Sequence, residues 1–161
     1  MITREFLLEC EQYIENGGIL SGASFTPVKI RRHRRTRVDA ADAKEYMENN
    51  RDVFFTEQML SLIDKTGKKD SDVYKKAGID RRLFSKIRSN KEYTPAKKTV
   101  IALCLALELP RDEADLLLSS AGYSLSRADD FDLVVAFCIE KKVYDFISIN
   151  EALEHFGFEV F

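Results

Sequence analysis

Residues 70–125 read DSDVYKKAGIDRRLFSKIRSNKEYTPAKKTVIALCLALELPRDEADLLLSSAGYSL, and the punctuation of this stretch decides the fold. Each apolar run is preceded by a capping residue and followed by a turn residue. Asp70 is expected to cap a short helix containing Val73 and Tyr74 that ends at Ala77-Gly78. Asp80 caps the next, which contains Leu83, Phe84 and Ile87. Thr94-Pro95 reads as an N-cap followed by proline at the first helical position, where its missing N–H costs nothing. The run from Val100 to Leu107 is apolar nearly all round, so this helix should be the central, buried one. A further helix runs from about Arg111 to Ala121, with Gly122 ending it.

Upstream, Phe55-Thr56 opens a helix, with Thr56 as N-cap, Phe55 placed to staple onto Leu60, and Gly67 as the stop. Downstream, Ser126 with Asp129 and Ser148 with Glu151 fit the capping-box spacing and predict helices over about 127–140 and 149–156. At the N-terminus, Phe6, Leu7, Cys10, Tyr13 and Ile14 recur at helical spacing until Gly17-Gly18. Residues 19–38 show no clean period and read as a loop or linker. Residues 39–50 return to helix, with Asp39 as N-cap and Tyr46 and Met47 as its few apolar contacts, a composition that suggests a peripheral element. There is no internal repeat and almost no strand-like alternation. The expected fold class is all-α, with an N-terminal helical segment and basic linker over 1–52, a helix-turn-helix domain over 53–125, and a helical extension over 126–161 packed on it.

The 161 residues, 45% hydrophobic and 32% charged, suit one modest domain with extensions or two very small ones. No apolar run approaches the roughly 20 residues needed to cross a bilayer, so no membrane partner is expected. Four Glu within the first 15 residues do not read as a signal peptide. Cys10, Cys104 and Cys138 lie far apart in apolar helical patterns and read as buried thiols of a reducing compartment, which points to the cytoplasm.

The net charge of −2 conceals a strong asymmetry. Residues 29–37 carry +6; residues 65–98 hold twelve basic and four acidic side chains, a balance of +8; residues 99–161 hold four basic and twelve acidic, a balance of −8. In a helix-turn-helix unit two short helices meet at a tight turn that favours glycine, locked by apolar residues on either side. Here Val73 and Ala77, then Gly78 and Ile79, then Phe84 and Ile87 satisfy that pattern. With these facing inward, the second helix turns Arg81, Arg82, Ser85, Lys86 and Arg88 outward. Arginine can reach guanine O6 and N7 through paired hydrogen bonds, and serine and lysine serve bases or phosphates. Lys68, Lys69, Lys75, Lys76, Lys91, Lys97 and Lys98 could add phosphate attraction that is independent of base sequence.

The stretch quoted above resembles the λ-repressor-like (Cro and repressor) helix-turn-helix family of transcriptional regulators over about residues 55–123, above all in FSKIRSNKEYTPAKKTVIALCLALEL. It also resembles a bacterial helical domain found at the ends of macro-domain proteins. The first resemblance implies a five-helix domain that regulates transcription by binding double-stranded DNA, with the helix of about 81–88 in the major groove. Two residues depart from the family pattern: Tyr74 stands where a small residue usually packs against the recognition helix, and Asp80 opposes a phosphate even as it caps. The run Arg31, Arg32, Arg34, Arg35 and Arg37 could lie in an A·T-rich minor groove as a flexible arm, or else be a solvated linker or a clamp on the acidic half. The alternative function is a protein-interaction module on the same scaffold.

Enzyme chemistry finds little support. His33 and His155 belong to no metal-binding motif, there is no C-x-x-C and no phosphate-binding glycine loop, and Asp129, Asp130 and Asp132 suit the first turn of a helix. No catalytic residue, metal or cofactor is expected. The tail residues Phe156, Phe158, Val160 and Phe161 either fold back on the last helices or form a homodimer or partner surface, an alternative the sequence leaves open.

Overall fold

A computed structural model describes residues 2–18, 39–51 and 53–161. Among the described residues the protein is all-α, with nine helices and no strand: α1 Arg4–Glu15, α2 Ala40–Asn49, α3 Phe55–Thr66, α4 Asp70–Lys76, α5 Arg81–Ser89, α6 Lys97–Leu107, α7 Arg111–Ser120, α8 Asp130–Glu140 and α9 Phe146–His155. None of them is long and apolar enough to cross a membrane.

The apolar run from Val100 to Leu107 is buried at every position, and α6 packs against α3, α4 and α7. A second helix behaves the same way. From Asp132 to Ile139 every residue of α8 is buried, and α8 packs against α1, α7 and α9. The interior is therefore organised around two all-round buried helices, with α7 touching both. One continuous apolar cluster runs from Cys10 on α1 to Leu153 on α9. Cys10, Cys104 and Cys138 are free thiols inside it, and burial pushes each up to about 12. That leaves them protonated and poorly nucleophilic.

The first helix is held on α8 by aromatic and polar contacts. The rings of Phe6 and Tyr13 lie 5.1 and 5.3 Å from that of Phe137, and the Tyr13 hydroxyl donates to Glu140 Oε1 at 2.9 Å. Gly18 closes this docking: its φ of +77° favours glycine, and a Cβ there would sit 2.7 Å from Leu133 Cδ2 and push that side chain aside.

Several helix starts differ from the sequence expectation, each for a local reason. Thr56 does not cap α3. Phe55 is already helical and buried, and Thr56 sits in the first turn with its hydroxyl turned to another helix. Asp70 is the first residue of α4 rather than its cap, where its charge favours the helix dipole. The start of α6 falls two residues after Pro95, because Pro95 is buried outside the helix and its carbonyl accepts from the Tyr123 hydroxyl at 3.2 Å. The caps of α8 and α9 are Asp129 and Asp145, not Ser126 and Ser148. Their carboxylates accept from Asp132 N and Ser148 N, each at 3.0 Å, and the bonds from Ser148 hold the Asp145 carboxyl below its usual value. A carboxylate is the stronger acceptor and takes the capping position in both helices, three residues after Ser126 in one and three before Ser148 in the other.

Asp39 caps α2 as expected, accepting from Ala41 N at 3.3 Å. The helix is peripheral, but Tyr46 and Met47 are not its contacts to the core: they are 69% and 63% exposed. The C-terminal tail folds back. Phe131 meets Phe158 and Phe161 at 6.3 and 6.0 Å between ring centres, and Phe161 N donates to Asn150 Oδ1 at 3.0 Å.

Candidate nucleic-acid interface

The chain leaves α4 through a closure that glycine makes possible. Gly78, at φ +65°, donates its N–H to Lys75 O at 3.2 Å, and Ile79 donates to Tyr74 O at 2.9 Å, so two otherwise orphaned carbonyls are satisfied by a Schellman motif. A Cβ at Gly78 would meet nothing within 4 Å, so glycine is required by the backbone angle and not by space. Asp80 then accepts from Arg82 N at 2.6 Å and starts α5.

Val73, Ala77, Phe84 and Ile87 are buried between the two helices and the core, as their spacing implied. The half-buried Tyr74 is accommodated by lying against Phe84, ring centres 5.6 Å apart. Thr56 fixes the far end of α5. Its hydroxyl donates to Ile87 O at 2.9 Å, capping one of the carbonyls that a helix C-terminus leaves unpaired. The residue preference that suggested an N-cap was outweighed by this acceptor 31 residues away, which no local pattern reveals. Thr56→Val keeps the shape and removes the donor, so it is expected to lower stability by about 1–3 kcal/mol in denaturant unfolding.

The outward face of α5 carries Arg81, Arg82, Ser85, Lys86 and Arg88, all exposed, with no acidic residue between 81 and 89. Among the described residues the guanidinium groups of Arg81 and Arg82 have no protein partner. Lys86 Nζ lies 4.1 Å from the Tyr93 ring centre, and Arg88 pairs with Asp70.

The surrounding lysines are not equivalent. Lys69 and Lys75 are exposed without a partner among the described residues. Lys91 pairs with Glu57 at 2.6 Å, while Lys68 and Lys76 converge on Glu108 at 3.2 and 2.5 Å and hold its carboxyl below the usual range. Lys98 reaches Glu159 on the folded-back tail at 3.3 Å. Lys97 is the most committed, because its Nζ lies 2.5 Å from Asp132, whose side chain is 2% exposed. The same carboxylate accepts from Ser126 N at 2.7 Å, so this pair ties the start of α6 to α8. The arginine run at 31, 32, 34, 35 and 37 lies outside the described residues.

Comparison with models of protein families, with curated proteins and with solved structures gave no match to this chain.

Proposed function

We propose that this protein is a DNA-binding regulator in which α4, the turn at Gly78 and α5 act as a helix-turn-helix of the λ-repressor type, with α5 entering the major groove. One observation carries the reading: Arg81 and Arg82 have no partner among the described residues and stand at the exposed start of an acid-free helix seated by the buried Phe84 and Ile87. A guanidinium with no internal partner breaks no ion pair on turning to a base edge or a phosphate and gives up only hydration and side-chain freedom. The partly engaged cations, Arg88 and Lys91, are exposed pairs of small net worth and can exchange a carboxylate for a phosphate. The five helices of the motif would be α3 to α7, with α8 and α9 as a packed extension.

The test is selection from a mixed pool of short duplexes across a salt series. Enriched sequences with a steep loss of affinity as salt rises are the expected result. Retention without enrichment would leave only a basic surface, and no retention at low salt would remove the proposal.

A second reading, a protein-interaction module on the same scaffold, is favoured by the internal pairing of Lys68, Lys76, Lys97 and Lys98, which draws four of the twelve candidate side chains toward the acidic half. A stoichiometric protein partner that co-purifies despite nuclease treatment would favour it.

A further inference from the structure

Residues 157–161 turn back along the protein surface after α9. Gly157, at φ +76°, donates to Glu154 O at 3.0 Å, and Phe158 donates to Leu153 O at 2.9 Å, which closes the helix and redirects the chain. The far end of the segment is anchored as well. The Phe161 ring lies 5.7 Å from that of Phe146 and 6.0 Å from that of Phe131, and Phe161 N donates to Asn150 Oδ1 at 3.0 Å. Phe158, Val160 and Phe161 are all half-buried.

Glu159, the one acid in this segment, sits between the two anchors. Its Oε2 lies 3.3 Å from Lys98 Nζ, and the Phe161 ring centre lies 5.9 Å from the same nitrogen. The returning segment therefore engages one lysine twice. That lysine closes the basic stretch 65–98 and lines a cleft together with Asp80 and Leu83, at the end of α5 that carries Arg81 and Arg82.

The Glu159 side chain is 91% exposed, so its pair with Lys98 adds little to the stability of the fold. What it does change is the charge that Lys98 presents beside α5. A carboxylate oxygen on an ammonium group makes the same charge-assisted hydrogen bond that a phosphate oxygen would make. Because the pair is exposed and weak, a phosphate can displace the carboxylate while the aromatic anchors stay in place.

We propose that residues 157–161 form an autoinhibitory strap, in which Glu159 holds Lys98 in the place of a DNA phosphate until duplex binding displaces it. This rests on the reading of α4 and α5 as a DNA-binding helix-turn-helix. The competition takes place at the phosphate backbone, so it lowers affinity for every duplex by the same factor and leaves base preference to Arg81 and Arg82.

The test is a double-mutant cycle on the full chain, read as affinity for a labelled mixed pool of short duplexes at low and at raised salt. Glu159→Gln should bind the pool about three- to fivefold more tightly at low salt, with an unchanged melting temperature and a gain that shrinks as salt screens the pair. Lys98→Ala should bind more weakly than the wild type. Adding Glu159→Gln to Lys98→Ala should then bring little further gain, because the acid acts through that lysine. Retention of the wild type with no gain in Glu159→Gln would overturn the strap and leave the DNA reading standing. A gain that survives in full beside Lys98→Ala would also overturn it, since net charge alone would then account for the effect. No retention of either the wild type or Glu159→Gln at low salt would remove the DNA reading and the strap with it.

Discussion

Replacing Arg81 and Arg82 together with alanine is expected to reduce affinity for selected duplex DNA by about 100-fold at constant salt, each well-placed arginine contributing about 1–3 kcal/mol. The change should come without a loss of fold. Both side chains are exposed and have no partner among the described residues, and the bond that starts α5 uses the backbone N–H of Arg82. Surface changes of this kind move stability by about 0.5 kcal/mol or less. Two features separate base reading from general attraction. Base reading predicts that the double variant loses discrimination between the selected duplex and a scrambled one, whereas Lys91→Ala should weaken both equally and flatten the salt dependence by about one unit. Unchanged DNA affinity in a folded double variant would falsify the assignment of α5 as the recognition helix.

Phe137→Ala is expected to have the largest effect on stability, about 3–5 kcal/mol. Phe137 is 1% exposed on α8, and Phe6 and Tyr13 of α1 both lie on it. Removing the ring deletes the floor on which α1 rests, so two losses should coincide. The melting temperature should fall by about 10 °C, taking roughly 2–4 °C per kcal/mol at this chain length. Amide hydrogen exchange in α1 should rise further than in α6, because beyond the Tyr13–Glu140 hydrogen bond the polar ties left to α1, such as Glu9 to Lys141 and Glu11 to His155, are exposed pairs of small worth. Equal acceleration in both helices would mean that α1 melts only with the whole core.

The contrast between these two sites matches a contrast in what could be read from residues alone. The face of α5 was legible because a 3.6-residue period sorts a short helix without knowledge of its neighbours: Val73, Ala77, Phe84 and Ile87 go in, and Arg81, Arg82, Ser85, Lys86 and Arg88 go out. The importance of α8 was harder to see. Its apolar run shows the same all-round character as α6, yet its place at the end of the chain suggested an extension, and only contacts with α1, α7 and α9 make it a second centre. Thr56 and the serines at 126 and 148 misled for a common reason. A hydroxyl has many possible partners, and local spacing supplies only the nearest one.

Charge shows the boundary most clearly. Composition along the chain determined that residues 65–98 are basic, that residues 99–161 are acidic, and that helices with readable ends carry both, since these are sums and periods over neighbours in sequence. Which lysines remain available was decided by the tertiary structure. Lys97 and Lys98 are adjacent and chemically identical, but one is bound to a buried carboxylate 35 residues away and the other reaches an exposed glutamate on the returning tail. The fate of that tail was decided in the same way, by Phe131 and Phe146 offering it a surface. Periodicity and capping are short-range and survive in a one-dimensional reading; the pairing of a charge or an exposed ring depends on distances that exist only once the chain has closed on itself.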